Sequence, residues 1–181
     1  MKTVGEKLEK FLIVGVPPGQ PVSNHAFFNV DDTSFPGMWK IIVFYPKDFT
    51  QVCPTEIIAY DKLYEEFEKR NAILLTGSTD NEFCKVAWQK SHDELKKIRH
   101  FQFADIARDH NSLSNQLGIF SQENGSAHRA TFIIDPRNVI QHVTVNNMNI
   151  GRNADETLRV LDAIQTGQQC ACNRAVGGDT L

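Results

Sequence analysis

The chain has 181 residues, with 22 acidic and 19 basic side chains and a net charge of −3. That length fits one domain able to bury a sizeable core, and 41% hydrophobic with 23% charged residues is ordinary for a soluble globular fold. A basic stripe for nucleic acid is missing, no apolar run approaches the ~18 residues of a membrane span, and Met1–Lys7 with the short apolar patch Phe11–Val16 makes a poor signal peptide, so a cytoplasmic protein is expected.

Along the chain, a turn-rich segment Val16–Pro21 precedes a short apolar stretch, Ala26–Val30, that reads as a strand. A turn at Phe35–Gly37 leads into Trp39–Tyr45, whose apolar run Ile41–Tyr45 predicts a buried strand. Thr55–Phe67 carries apolar residues at i, i+3 and i+4 steps and predicts a helix, with Pro54 suited to its first position. Asn71–Thr79 predicts a second core strand, and Asp80 is a candidate cap for a helix from Asn81 to Ser91. Phe101–Ile106 reads as a short strand and Asn111–Leu117 as a short helix stopped at Gly118. Ala130–Asp135 and Val139–Val145 flank a tight Pro136–Asn138 connection, the pattern of a hairpin. Ala154–Gln165 closes the pattern as an amphipathic helix with Leu158, Leu161 and Ile164 facing inward. Alternating strands and helices give an α/β layered fold, a mixed sheet with helices on both faces. Residues 1–167 form the domain and 168–181 a polar, flexible C-terminal tail.

Chemistry concentrates where the Ile41–Tyr45 strand turns into its helix. Cys53 falls at the amino end of that helix, among unpaired N–H donors and the positive end of the macrodipole, a setting that favours a thiolate. The remaining cysteines are Cys84, Cys170 and Cys172. Cys84 shares a helix with Phe83, Ala87 and Trp88 and reads as packing. Cys170 and Cys172 are too closely spaced for a zinc knuckle, and no second pair follows. The six histidines show no i, i+4 pair and read as ordinary surface or partly buried residues.

The stretch Pro46-Lys47-Asp48-Phe49-Thr50-Gln51-Val52-Cys53 is similar to the P-x-x-x-T-x-x-C signature of peroxiredoxins. The flanking Phe44–Ile57, Ser78–Phe83 with Ala87-Trp88, His128–Pro136 and Ile150–Asn153 resemble the alkyl hydroperoxide reductase C branch. The resemblance implies a thioredoxin-like fold and a thiol-dependent peroxidase for hydrogen peroxide and organic hydroperoxides, with peroxynitrite within reach and no metal or organic cofactor. It makes Cys53 the peroxidatic cysteine that passes through a sulfenic acid, and Arg129 the charge that stabilises thiolate and leaving oxygen. Thr50 is a hydrogen-bonding hydroxyl or simply a helix cap, Pro46 a shield over the sulfenic acid, and Glu56 the residue orienting Arg129.

By the same resemblance Cys170 is the resolving cysteine, bonding to the partner subunit's peroxidatic thiol. Cys172 is an added thiol, a candidate second resolving cysteine. Arg174 occupies a position where many relatives carry tryptophan. A homodimer is implied, with a ring of five dimers a further expectation. The reductant is a thioredoxin, a flavoprotein disulfide reductase or a small C-x-x-C partner. The sequence ends at Leu181 without a long C-terminal helix of the Tyr-Phe type and lacks a G-G-x-G insert between Ser91 and Phe103, so resistance to over-oxidation is expected. A thioredoxin-type oxidoreductase would need C-x-x-C, but Glu56 stands at the second position. A peroxide sensor or holdase chaperone on the same fold stays open.

Overall fold

The computed structural model describes residues 1–19 and 26–181. The expected Val16–Pro21 turn lies partly outside these residues, and His25 wholly so. Nine strands are described: β1 (Leu12–Val16), β2 (Phe28–Asp31), β3 (Trp39–Phe44), β4 (Ala72–Ser78), β5 (Phe101–Ala104), β6 (Phe120–Ser121), β7 (Ser126–Ala127), β8 (Arg129–Ile134) and β9 (Ile140–Asn146). The described α-helices are α1 (Val52–Lys62), α2 (Tyr64–Lys69), α3 (Glu82–Ser91), α4 (Leu113–Gln116) and α5 (Ala154–Gln165). Seven strands form one mixed sheet in the order β2-β1-β5-β4-β3-β8-β9, and β6 pairs with β7.

β3 lies inside the sheet, parallel to β4 and antiparallel to β8. Its continuous apolar run reflects burial on both faces. Ile41 and Val43 pack with Tyr60, Phe67, Leu158 and Leu161 from α1, α2 and α5, while Ile42 and Phe44 join Leu8, Phe11, Leu113 and Leu117 on the opposite face. Between β4 and β5 the backbones approach so closely that a Cβ on Gly77 would sit 2.3 Å from the Phe103 carbonyl oxygen, which explains glycine there. Gly118, with φ +69°, ends the α4 segment as expected.

Four expectations shift. Leu12–Val16 is a full strand between β2 and β5. The single helix expected over Thr55–Phe67 breaks at Leu63, whose φ −94° and ψ 7° separate α1 from α2. Because α1 begins at Val52, Pro54 is its third residue, still in the first turn where its missing N–H breaks no helical hydrogen bond. The cap of α3 is Asn81, whose side chain accepts from the Cys84 N–H at 2.9 Å; Asp80 is engaged elsewhere. The hairpin holds, with the Asp135 carboxylate accepting the Arg137 and Val139 N–H groups across its turn. Residues 168–181 form no helix or strand. Among the described residues no helix is long and apolar enough to cross a membrane.

Candidate active site

The site grows from the end of β3. Tyr45 continues the sheet by donating its N–H to the Gly77 carbonyl at 2.8 Å, and residues 46–51 loop from there into α1. Phe49 takes a left-handed φ of +57°, strained for a bulky side chain by about 1–3 kcal/mol, and its ring lies 5.8 Å from that of Trp88. Neighbouring Asp48 holds the loop in this shape. Its N–H donates to Asp80 Oδ2 at 2.7 Å, and its carboxylate accepts from Tyr45 Oη at 2.8 Å, Ser78 Oγ at 3.2 Å and Lys85 Nζ at 3.2 Å. The Lys85 side chain is 0% exposed and also donates to Ser78 Oγ at 2.7 Å. A buried lysine is costly unless paired and hydrogen-bonded, and here it is both.

Thr50 does not cap the helix: α1 starts after Gln51, and the Thr50 hydroxyl donates to the Lys47 carbonyl at 3.0 Å. Its single proton is thereby committed, leaving its lone pairs to accept from a ligand. Cys53 sits in the first turn of α1 and is 1% exposed, packed with Tyr45, Ile57 and Trp88.

Arg129, the first residue of β8, reaches Cys53 from across the sheet. Its Nη1 lies 3.5 Å from Cys53 Sγ and 2.6 Å from Glu56 Oε2. Nε and Nη2 donate to the Met148 carbonyl at 3.2 and 2.6 Å, so the guanidinium is fixed from both ends. Burial works against its charge, but the bonds to Cys53 and Glu56 outweigh it and hold its pKa above the ordinary arginine value. Glu56 is one turn of α1 beyond Cys53 and also binds Arg152, through Nε at 2.8 Å, Nη2 at 2.9 Å and the backbone N–H at 2.8 Å. Burial alone would raise the Glu56 pKa. The bonds and charge of Arg152, with the bond from Arg129, lower it below the usual carboxylate value.

Pro46, Thr50, Cys53 and Arg129, all singled out from sequence, line one cavity of about 430 Å³. Glu56 stands behind them and acts on the cavity through Arg129. Arg129 is thus both a salt-bridging residue and a contact of the sulfur. Sequence reasoning missed the roles of Arg152, Asp48 and Lys85. Arg152 lies within the Ile150–Asn153 stretch, but only the folded chain brings it to Glu56. Ser126 and Met148 also line the cavity, without any local signal.

Cys170 and Cys172 are not brought to this cavity. Cys170 Sγ lies near the end of its own α5, 3.7 Å from the Ala163 and Gln168 carbonyls and 3.6 Å from Thr166 Oγ1, and Cys172 is exposed. Cys84 is half-buried at the start of α3, where burial, then the charges of Asp48 and Asp80, push its thiol pKa up.

A family model described as the AhpC/TSA family matches residues 16–143. The alkyl hydroperoxide reductase C of Mycolicibacterium smegmatis is 41% identical over 99% of this chain and 93% of its own length. The thioredoxin peroxidase of Fasciola hepatica is 36% identical over 86% of this chain and 82% of its own. Among solved structures, Mycobacterium bovis AhpC aligns with TM-score 0.85 and 38% identity, covering 96% of this chain and 98% of that one. Reduced Plasmodium vivax 2-Cys peroxiredoxin aligns with TM-score 0.86 and 35% identity, covering 99% and 92%. The fold is thioredoxin-like, as the sequence implied, and the chain belongs to the AhpC/TSA family as a thiol-dependent peroxidase of the peroxiredoxin kind.

Proposed function

We propose that Cys53 is the peroxidatic cysteine and that the peroxide binds in the cavity it shares with Thr50, Pro46 and Arg129. The observation that carries this reading is the buried Arg129 guanidinium, which lies between Cys53 Sγ and the Glu56 carboxylate and has no freedom to turn away. The Cys53 thiolate attacks the terminal peroxide oxygen and the O–O bond breaks. The other oxygen takes a proton and leaves as water or an alcohol, and Cys53 is left as a sulfenic acid. Thr50, its hydroxyl donating to the Lys47 backbone carbonyl, accepts the peroxide O–H and orients the attacked oxygen. Arg129 stabilises the charge that builds on the leaving oxygen, and the prearranged guanidinium needs no reorganisation during the step. Pro46 presents carbon to the cavity and limits access of water to the sulfenic acid. Glu56 and Arg152 are positioning residues, acting through Arg129.

Cys170 of the partner subunit then attacks the sulfenic sulfur, forming an intersubunit disulfide, with Cys172 as a second thiol in the same tail. Residues 168–181 serve as the recycling segment and residues 1–167 as the peroxidase domain. The working unit is a homodimer, and five dimers close into a ring. A thioredoxin, a flavoprotein disulfide reductase or a small C-x-x-C protein returns the disulfide to thiols, in the cytoplasm. Hydrogen peroxide, organic hydroperoxides and peroxynitrite are the substrates.

The test is a non-reducing gel of the reduced protein after one equivalent of hydrogen peroxide, alongside Cys170→Ser and Cys172→Ser. A covalent dimer lost in Cys170→Ser and kept in Cys172→Ser supports the assignment. A dimer lost only in Cys172→Ser would move the resolving role to that thiol, and no wild-type dimer would remove the intersubunit step.

A further inference from the structure

Arg174 is more deeply buried than its polar surroundings suggest. It lies in the tail, four residues past Cys170, yet its side chain is only 5% exposed. Nη1 donates to Asp162 Oδ2 at 2.7 Å, and the same oxygen accepts the Gly177 N–H at 3.0 Å. The other Asp162 oxygen accepts Arg70 Nε and Nη2 at 3.2 and 3.0 Å, and Arg70 in turn binds Glu66. Arg159 donates to the Arg174 carbonyl at 3.3 Å. The polar tail is thus fastened to α5 by a chain of charges, Glu66–Arg70–Asp162–Arg174. Two strands of this anchoring converge on one carboxylate. Burial would raise the Asp162 pKa, but the Gly177 N–H and the two arginines hold it below the usual range. Arg174 Nε is buried without a hydrogen-bond partner among the described residues, so the side chain is held through Nη1 alone.

The docked tail keeps Cys170 against its own helix, with the sulfur within hydrogen-bonding range of the Ala163 and Gln168 carbonyls. Cys53, for its part, is buried. Resting on the assignment of Cys170 as resolving cysteine, we infer that the Arg174–Asp162 pair is a latch that parks Cys170 and sets how fast the tail is released for disulfide formation. Arg174 and Asp162 are then positioning residues for the recycling half of the reaction and touch neither peroxide nor Cys53. In the step they control, the Cys170 S–H gives up its proton and its sulfur bonds to the Cys53 sulfur. The S–O bond of the sulfenic acid breaks, and the oxygen leaves with the proton as water. No further oxidant or reductant is needed.

The test is single-turnover kinetics on the full-length protein with one equivalent of hydrogen peroxide. Sulfenic acid is trapped by dimedone, and disulfide dimer is quantified by acid quench and non-reducing gel. Arg174→Met keeps the aliphatic stem and removes the charge. It is expected to speed conversion of sulfenic acid to disulfide about tenfold, the factor carried by one charge-assisted hydrogen bond, with sulfenic acid appearing at the wild-type rate. Arg174→Lys restores slow conversion, and Asp162→Asn accelerates it as Arg174→Met does. The double variant gains nothing beyond Asp162→Asn alone, because the Arg174–Asp162 contact is already broken there. A purely structural role would not move the second step alone. Conversion in Arg174→Met that equals or lags wild type, with the disulfide still forming, overturns the latch. If Arg174→Met does not fold, Asp162→Asn decides by the same criterion. A wild-type protein that never links Cys53 to Cys170 overturns the resolving assignment itself, a result distinct from failure of the latch.

Discussion

Replacing Arg129 with Ala separates two contributions that a catalytic arginine makes to a thiol. A free thiol of pKa about 8.5 is already a few per cent ionised near pH 7, so complete ionisation can raise the rate by roughly 30-fold at most. Lower basicity takes back part of that gain. A donor aimed at the charge that develops in the transition state is worth about 10²–10³. On the proposed reading Arg129 performs the second task, its Nη1 3.5 Å from Sγ and its guanidinium clamped by Glu56 and the Met148 carbonyl. Its removal does not orphan Glu56, which keeps its side-chain and backbone bonds from Arg152, so the frame of the site survives. The second-order rate of the reduced protein with hydrogen peroxide should fall about 10²–10³-fold in Arg129→Ala. Stopped-flow mixing gives that rate, and ultraviolet thiolate absorbance against pH gives the ionised fraction. If the variant matches wild type once each rate is divided by its thiolate fraction, Arg129 acts only by ionising Cys53 and the reasoning fails.

Three further outcomes follow from the same geometry. Thr50→Val should lose about tenfold in the peroxide step, the worth of one hydrogen bond at the upper end of its range, while Thr50→Ser keeps most of the rate; equal rates in Val and Ser would remove the hydroxyl from the step. Lys85→Met leaves the buried Asp48 carboxylate without its cation and should cost about 3–5 kcal/mol in urea unfolding, whereas a loss below about 1 kcal/mol would mean that Lys85 does not hold the catalytic loop. Because the folded Glu56 pKa is depressed, its contribution to stability is fully present above the unfolded value of about 4.3 and is lost as pH falls through the lower folded value. Glu56→Gln should therefore flatten the acid limb of stability against pH, and an unchanged limb would show that its ion pairs contribute nothing to it.

Much of the scaffold was legible because burial writes itself into composition. The run Ile41–Phe44 is apolar throughout since β3 is covered on both faces, and Leu158 and Leu161 mark the buried stripe of α5. The strand-to-helix turn, Cys53 and its octapeptide were equally plain. What escaped depends on partners far away in sequence. β1 is a strand because β2 and β5 flank it, and its first residue, Leu12, is exposed, which blurs the pattern. The apolar spacing of Tyr60, Leu63 and Phe67 runs straight across the break between α1 and α2, hiding it. Asp80 and Asn81 offer the same capping chemistry, and the choice falls to Asn81 because Asp80 receives the Asp48 N–H. His100 is fully buried between Asp61 and Thr76, unlike the surface or half-buried histidine its sequence surroundings suggest. Arg152 and Lys85 are ordinary cations in sequence and become meaningful only against Glu56 and Asp48. The tail arginine is the same case: Arg174 packs by pairing with Asp162.

The measurement that bears most directly on the central claim is peroxide consumption by the fully reduced protein at one equivalent, with intact mass, for wild type and Cys53→Ser. Cys53 chemistry predicts rapid consumption and one added oxygen, or its disulfide successor, in wild type, with neither in Cys53→Ser. A Cys53→Ser protein that consumes peroxide at the wild-type rate would place the reacting thiol elsewhere and contradict the account of the site.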